Sequence, residues 1–539
     1  MALFLSATVA ASVLLTRVAT TYAPSESFVG TFFILLSGQL FVWLTWKVVI
    51  LPKVFSPLRK LPQPRDGSFF MGQFWRILRD SDGEPMREWA ATIPNNGLIR
   101  YNHALNAERV LVTSPKALGE VLVAKNYDFI KPPQFRTGLA RLLGVGVLLA
   151  EGDEHKRQRR LLMPAFSYRH IKDLYPTFWS KSREATEAMT LAVKENPTSE
   201  KDDSSILEIG SWANRVTLDI IGLAGMGHDF NAIKNPESEL NLCYRTVFTP
   251  NRAARLLGLA GLFLPSFILT NLPIKRNKEI EDARRLIRRV CQELIDEKRS
   301  SLEKGNASGK DILAVALESG GFTDENLIDQ LMTFLAAGHE TTASAMQWAI
   351  YLLCLHPGIQ TRLRNAVREG LPSIGDPDSS ITAAEVDKIA YLHAVCNEVL
   401  RLFPPVVLTL RIAAHDTEIL GNPIPANTTI ILSPWAINVS KELWGEDAAD
   451  FDPERWLKPG QANSGGADSN YSFLTFLHGP RSCIGKDFSK AEFACLLAAW
   501  VGRFEMAFAD EDFVLRIQGG VTSKPKGGLR VRVKALEGW

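Results

Sequence analysis

An uncharged, mostly apolar run occupies residues 28–46 near the start of the chain. Its 19 residues come close to the ~20 that a helix needs to cross the hydrocarbon layer of a bilayer. Trp43 and Trp46 suit a membrane interface, and Lys47 and Lys53 follow, which predicts that the downstream chain lies on the cytoplasmic side. We therefore predict a membrane anchor within residues 1–50.

Two further segments complete the predicted organisation. Residues 2–16 are apolar but shorter and stop at Arg17, so they form either a first span, making a hairpin, or a signal-like segment. No small-residue cleavage site stands out, which favours an uncleaved anchor. Residues 51–67 hold four prolines and predict a stiff, non-helical hinge. Residues 68–539 are then one large globular domain.

A long buried helix is predicted over residues 323–353, with Thr323 as N-cap and leucines recurring every four residues. Its centre is unusual, because Gly338 costs ~1 kcal/mol in a helix and a buried Glu340 needs a partner. The Thr341 hydroxyl can bond the Ala337 carbonyl and loosen the helix. These features are typical of a proton-delivery notch beside a ligand. The alternative is a glycine kept for helix packing, with solvated polar neighbours.

A second helix is predicted over residues 384–402, because Pro404 forbids its continuation. Glu398 and Arg401 lie on one face of it. The same Glu-x-x-Arg spacing occurs three more times in the chain, so the pair alone indicates an ordinary surface ion pair. Downstream, Arg455 in the stretch FDPERW offers a second planar guanidinium that could complete a Glu–Arg–Arg network.

Composition narrows the class of protein. The chain has 539 residues, of which 46% are hydrophobic, and a net charge of +2, which gives no reason to expect nucleic acid as a partner. Its six cysteines are scattered without a CxxC pair, so neither a disulfide framework nor a zinc ribbon is indicated. Cys483 differs from the others, because the stretch FLHGPRSCIG places it among glycines and a nearby arginine.

The spacing of that stretch carries a family resemblance: Phe476, Gly479, Arg481, Cys483 and Gly485 stand at fixed offsets. Together with AGHETT, Glu-x-x-Arg and PERW upstream, in that order, the chain resembles a membrane-anchored eukaryotic cytochrome P450, with the look of fungal tailoring enzymes. The resemblance implies a mainly α fold with small β-sheets (α+β), a long central helix over a haem, and a haem-thiolate catalytic domain over residues 68–539.

The resemblance also implies roles for individual residues. Cys483 is the expected thiolate ligand of the iron of haem b, and a buried thiolate needs backbone donors and nearby positive charge. The other residues expected around the cofactor are Phe476, Gly479, Gly485, Ala337 and Gly338. The haem propionates are expected to bind Arg481, Arg411, His155 and Arg159. His155 stands where the family often has tryptophan, which puts its share of that task in question.

The implied function is monooxygenation of a lipophilic small molecule with O2, in which Glu340 and Thr341 relay protons. Only 56 residues follow Cys483, too few for a flavin domain, so electrons are expected from a separate NADPH-cytochrome P450 reductase at the endoplasmic reticulum membrane. Residues 138–153 and 244–275 are expected to line the substrate site. Two alternatives are a haem-thiolate isomerase or dehydratase without O2 activation, and a non-catalytic haem-binding membrane protein.

Overall fold

Helices dominate the structure, a computed structural model that describes residues 2–198, 203–248, 252–261, 264–304 and 311–539. Within these ranges the α-helices, numbered α1 to α22 along the chain, are Ala2–Arg17, Phe28–Thr45, Phe74–Arg79, Glu84–Thr92, Pro115–Gly119, Pro133–Leu143, Gly152–Leu162, Tyr168–Ile171, Tyr175–Glu195, Ile209–Met226, Glu239–Phe248, Arg252–Ala260, Ser266–Thr270, Lys275–Glu303, Ile312–Glu318, Asp324–Leu355, Pro357–Gly370, Ala383–Asp387, Ala390–Leu402, Pro434–Asn438, Lys441–Trp444 and Lys486–Arg503.

The strands form small sheets at the periphery. In chain order, β1 to β12 are Leu98–Asn102, Glu108–Val112, Phe129–Ile130, Ser204–Glu208, Thr409–Ala413, Thr417–Ile419, Asn422–Ile424, Thr429–Leu432, Phe504–Phe508, Ile517–Gln518, Lys524–Pro525 and Arg530–Ala535. One sheet has the order β1-β2-β8-β5-β3, a second has β4-β12-β9, and β6-β7 and β10-β11 are two-stranded. The predicted mainly α fold with small sheets is confirmed.

Helix α16 is the centre of the main hydrophobic core, packed among α10, α14 and α22. It begins as predicted, because the Thr323 hydroxyl accepts a hydrogen bond from the Asn326 N–H at 3.2 Å. Asp324 and Glu325 in its first turn complement the helix dipole. Leu327, Leu331 and most later side chains of this helix are buried, so the prediction of a long helix enclosed on most sides is confirmed.

The apolar N-terminal segments form two helices that contact each other. The Thr8 hydroxyl on α1 donates to Gln39 Oε1 on α2 at 2.6 Å, and Thr8, Ser12 and Thr31 are fully buried. The helix over Phe28–Phe55 is long and apolar enough to cross a membrane, and the shorter apolar helix Phe4–Arg17 precedes it. This arrangement is a helical hairpin.

The prediction of a non-helical hinge over residues 51–67 is wrong for its first half. The helix continues from α2 through a π-helical segment, Trp46–Phe55, which contains Pro52, since local π turns can re-satisfy the carbonyls that a proline leaves free. A 3₁₀ helix, Pro57–Lys60, follows, with Ser56 capping the Leu58 N–H. Only the residues after Lys60 run without regular structure up to residue 67.

The predicted single helix over residues 384–402 is also corrected. The structure has two helices here, α18 and α19, separated at Lys388 and Ile389. Thr382 and Glu385 form a capping box that starts the short α18 as a separate unit. The predicted end at Leu402, before Pro404, is confirmed.

Candidate active site

The backbone around Cys483 forms a tight, strained turn. The Cys483 N–H donates to the Phe476 carbonyl at 2.9 Å, and between them Leu477 and Gly479 have positive φ angles of 55° and 75°. A left-handed residue other than glycine is costly and is found where surrounding structure enforces it. Gly485 then directly precedes α22, so the turn places the sulfur at the N-terminus of an 18-residue helix.

Gly479 is required by a close backbone approach. A Cβ built on it would lie 2.2 Å from the Leu122 carbonyl oxygen, well inside van der Waals contact. A Cβ on Gly485 would meet only Phe166 at 3.7 Å, an ordinary contact. Close folding of the backbone therefore requires a glycine at position 479, whereas Gly485 contributes its N–H to the sulfur.

We expect Gly479→Ala to lower the free energy of unfolding by at least ~1–3 kcal/mol, the cost of a left-handed non-glycine residue, with further loss from the Leu122 clash. Gly460→Ala is the matched control, because Gly460 has a similar φ of 77° and nothing within 4 Å of its Cβ position. Thermal unfolding of both variants measures the difference. Equal destabilisation would contradict the close-approach explanation.

Cys483 is the accessible cysteine of the chain. Of the six free cysteines it is the one whose side chain is exposed, although many protein atoms lie around its sulfur. Burial raises the pKa of the Cys483 thiol, whereas the Gly485 N–H and then the Arg159 guanidinium act in the opposite direction. The Gly485 N–H and the Arg159 charge are the kinds of group that a thiolate here was predicted to need, and the role of Cys483 as a thiolate ligand stays a prediction.

A buried cluster of positive charge lies beside the cysteine turn. It contains Lys131, Arg411 and Arg481 around the single carboxylate of Glu151. Burial, and next the Arg411 charge, lower the pKa of Lys131 to about 8, and burial and Arg481 lower the pKa of Arg411 to about 10. Burial and the neighbouring cations disfavour the charged form of each side chain. Additional negative charge nearby would therefore stabilise that charged form.

The Arg481 side chain has buried hydrogen-bond donors that lack an acceptor. Its Nη1 donates to the Phe129 carbonyl at 2.7 Å, and Nη2 lies 2.5 Å from Glu151 Oε2. That ion-pair contact lacks hydrogen-bond geometry, so among the described residues Nε and Nη2 have no acceptor although both are buried. Arg411 is also buried and donates only to Thr409 Oγ1 and the Leu410 carbonyl. Carboxylates entering this space would supply acceptors and neutralise charge.

His155 and Arg159 lie on α7 next to this cluster. Burial, then the Lys131 charge, lower the pKa of His155 to about 4, so it is neutral at pH 7. His155 Nδ1 is 3.3 Å from the Tyr127 hydroxyl; if Tyr127 donates this bond, the proton stays on Nε2 as a donor. Arg159 Nη1 donates to the Ser482 carbonyl at 2.7 Å, which ties α7 to the cysteine turn.

The residues at the centre of α16 have different partners. Thr341 Oγ1 donates to the Ala337 carbonyl at 2.8 Å, the bond expected from the sequence, and the helix is continuous across it. A Cβ on Gly338 would lie 2.8 Å from Ile221 of α10, so this glycine permits close helix packing, and its place beside the cofactor stays a prediction. Glu340 is buried and bonded to the C-terminal segment rather than to solvent.

Glu398, Arg401 and Arg455 meet in a fully enclosed network. Arg401 Nε and Nη2 each donate to the Glu398 carboxylate at 2.8 Å, and Arg455 Nε donates to it at 3.0 Å. Trp456 Nε1 and the Asp452 N–H complete the carboxylate's shell at 2.9 and 3.0 Å. The three other Arg401 N–H groups donate to the backbone carbonyls of Asn438, Ala448 and Asp450, so this is not a surface ion pair.

Asn438 connects this network to the cysteine turn, and sequence reasoning missed it. Its carbonyl accepts from Arg401 at 2.9 Å, its Oδ1 accepts from the Leu474 N–H at 2.7 Å, and its Nδ2 donates to Thr475 Oγ1 at 2.8 Å. Leu474 and Thr475 directly precede Phe476. Lys131, Glu151 and Tyr127 were missed as well; single polar residues near strand ends carry no local signal.

The comparisons with known proteins agree with this geometry. The family model described as Cytochrome P450 matches residues 94–530. The chain belongs to the cytochrome P450 family. It is 47% identical to the cytochrome P450 monooxygenase sphH of Aspergillus fumigatus, over 95% of this chain and 94% of that protein. It is 41% identical to the cytochrome P450 monooxygenase ALT8 of Alternaria alternata, over 95% of each protein. It is 43% identical to FUM15 of Gibberella moniliformis, over 91% of this chain and 90% of that protein.

The residues present fit the haem that a cytochrome P450 carries. Cys483 supplies one accessible sulfur, and the donors of Arg481 that lack a hydrogen-bond acceptor suit the carboxylates of a haem. A coordinated metal ion deprotonates a thiol outright. Haem-thiolate iron is the cofactor of this cytochrome P450, and its thiolate favours cleavage of an O–O bond, as the general chemistry of the family shows.

Proposed function

We propose that the chain is a membrane-anchored monooxygenase that inserts one atom of O2 into a lipophilic small molecule, as a tailoring step in secondary metabolism. The observation that carries the proposal is an exposed cysteine next to the buried cations Lys131, Arg411 and Arg481, whose contacting carboxylate is Glu151. Relatives with monooxygenase names cover more than nine tenths of the chain. In this role the haem supplies oxygen activation, Cys483 binds the iron, and Arg481 and Arg411 bind the propionates.

Within this proposal, Glu340 and Thr341 move protons toward the cofactor from α16. The Thr341 hydroxyl is held by the Ala337 carbonyl, so its oxygen keeps lone pairs for a water or a bound ligand. Retention of this acid–hydroxyl pair is what favours a monooxygenase over an isomerase or a non-catalytic haem protein, because neither alternative requires proton delivery.

The substrate site is proposed over residues 138–153 and 244–275. The first segment packs on α16, where Thr333 Oγ1 donates to the Leu143 carbonyl at 2.7 Å and the Val147 N–H donates to Gln330. The second contains α12 and α13, with exposed Leu256 and Phe267. Residues 249–251 and 262–263 of the second segment lie outside the described residues. These apolar surfaces favour a lipophilic substrate and contact with a bilayer surface.

The anchor and the redox partner belong to the same proposal. The helix over Phe28–Phe55 would hold the enzyme in the endoplasmic reticulum membrane, with residues 68–539 in the cytosol. A membrane-bound NADPH-cytochrome P450 reductase would then supply electrons from the same surface.

The proposal is tested with purified holoenzyme, reductase, NADPH and a panel of terpenoid, polyketide and alkaloid compounds. We expect NADPH consumption together with a product heavier by one oxygen atom, and label from ¹⁸O2 in that product. Haem incorporation with an isomerised or dehydrated product lacking label would favour the isomerase or dehydratase. Haem incorporation with no product would favour the non-catalytic alternative.

We expect Thr341→Ala to uncouple NADPH consumption from product formation. The share of electrons recovered in product should fall about tenfold, less than the ~10²-fold or more that a general acid contributes, because water can partly replace a hydroxyl. Thr342→Ala is the matched control, since Thr342 is the next residue of the helix and its hydroxyl lies 3.4 Å from the Gly338 carbonyl. Full coupling in the Thr341 variant would refute the relay role.

A further inference from the structure

The C-terminal segment is bonded to one side of α16 through three consecutive residues, 522–524. Glu340, Ser344 and Trp348 are spaced four residues apart and therefore line one face of the helix. Ser344 Oγ and Trp348 Nε1 both donate to the Ser523 carbonyl, at 2.6 and 3.2 Å. The segment is thus fixed on the helix independently of any charged group.

Glu340 is the charged contact of this segment. Lys524 Nζ and Thr522 Oγ1 each lie 2.9 Å from the same oxygen, Glu340 Oε1. The Glu340 side chain is 7% exposed and that of Lys524 is 21% exposed. A buried carboxylate needs a counter-charge and hydrogen bonds to remain charged, and Lys524 supplies both. Among the described residues, no side chain donates to Glu340 Oε2.

His339, the titratable neighbour of Glu340 along the helix, lies apart from this pair. Its Nδ1 bonds the Leu335 carbonyl of its own helix, and its ring contacts Tyr244 with centroids 4.7 Å apart. Burial lowers the pKa of His339, so it is neutral and cannot serve as the counter-ion. Lys524 is therefore the cation in direct contact with the carboxylate.

We propose that Lys524 is a positioning residue for proton delivery. It engages Oε1 of Glu340 from the C-terminal side and leaves Oε2 to carry protons for Thr341. This inference rests on the proposed relay role of Glu340. It states that Lys524, 184 positions away in the chain, orients the Glu340 carboxylate and stabilises its charge.

Cumene hydroperoxide tests the inference in the holoenzyme without a known substrate. Heterolysis of its O–O bond sends both electrons to the alkoxide, which takes up a proton and leaves as 2-phenyl-2-propanol. Homolysis leaves the cumyloxyl radical, which loses methyl radical to give acetophenone. We expect Lys524→Met to lower the alcohol-to-acetophenone ratio about tenfold, within the ~10²-fold lower range of general acid catalysis. Lys524→Arg should restore the ratio, because arginine keeps the charge and a donor.

Lys526→Met is the matched control, because Lys526 is exposed two residues further along the same segment. In a Glu340→Gln background, Lys524→Met should cause no additional fall, since the two residues act as one unit. Hydrogen–deuterium exchange over residues 517–525 should stay at the wild-type level in Lys524→Met, because the bonds to Ser523 remain. That result separates positioning from loss of local structure.

Three outcomes would contradict the inference, and one of them also contradicts the proposed relay. A wild-type product ratio in Lys524→Met, while Glu340→Gln lowers the ratio, would refute the role of Lys524 and leave the relay intact. A wild-type ratio in Glu340→Gln would refute the relay role of Glu340 in the proposed function, and the Lys524 inference with it. A fall in Lys524→Met accompanied by rapid exchange over residues 517–525 would assign Lys524 a structural role and also overturn the inference.

Discussion

We expect Cys483→Ala to abolish monooxygenase activity completely and to remove the red-shifted Soret band of the reduced, CO-bound protein. In the proposed function the sulfur would be the ligand that donates electron density to the iron, and the described residues contain no cluster of three histidine, cysteine or carboxylate side chains that could hold a metal ion instead. The absorbance spectrum and the haem content per chain measure the effect.

Cys354→Ala is the control for this substitution. Cys354 is also a free cysteine, but it is buried near the end of α16 that lies far from the Thr323 cap, and burial raises the pKa of its thiol to about 12. We expect this variant to keep the shifted band. A shifted band in Cys483→Ala, or its loss in Cys354→Ala, would contradict the assignment of the axial ligand.

Local signals in the sequence were sufficient for the long elements of the fold. The Thr323 cap lies at the helix start that it determines, and Pro404 lies two residues after the helix end that it determines. The regular spacing of leucines is likewise a local pattern. The Glu398–Arg401 pairing likewise follows from helical spacing. Such features were predictable because the interacting groups are neighbours in the chain.

Contacts between distant segments were not predictable in the same way. Gly338 packs against Ile221, and Glu340 bonds Lys524. The residues next to Gly338 and Glu340 in the sequence do not specify these partners. Pro52 was read as a helix breaker, but the wider π turn accommodates it. The sequence therefore indicated which residues of α16 are unusual, whereas the direction of each side chain depends on packing.

The buried cations show the same limit for charge. Arg411 and Arg481 were found through the family resemblance, whereas Lys131 and its partner Glu151 were not. Lysine and glutamate are normally exposed, so their burial beside each other becomes visible only in three dimensions. The excess of positive charge over Glu151 is nevertheless the feature that best matches a dianionic cofactor.

The second large effect is expected from Glu398→Gln. This carboxylate is fully buried and accepts five hydrogen bonds, two of them from Arg401 and one from Arg455. Removing its charge leaves the buried Arg401 guanidinium without a counter-ion and leaves Arg455 with Asp447 alone, and loss of a buried pair costs ~3–5 kcal/mol, a large part of the ~5–15 kcal/mol that stabilises a typical domain. We expect little soluble holoenzyme, and a lowered unfolding midpoint in what is recovered.

Glu84→Gln is a control with the same Glu-x-x-Arg spacing. Glu84 and Arg87 form an ion pair at 2.5 Å, but their side chains are 35% and 39% exposed, so its loss should cost no more than ~1 kcal/mol. The contrast between the two variants isolates burial, since sequence spacing and chemistry are identical. Because Arg401 also bonds the Asn438 carbonyl, and Asn438 holds the residues before Phe476, Glu398→Gln should lower haem retention as well. Similar stability of the two variants would show that the enclosed network is not what fixes the cysteine turn.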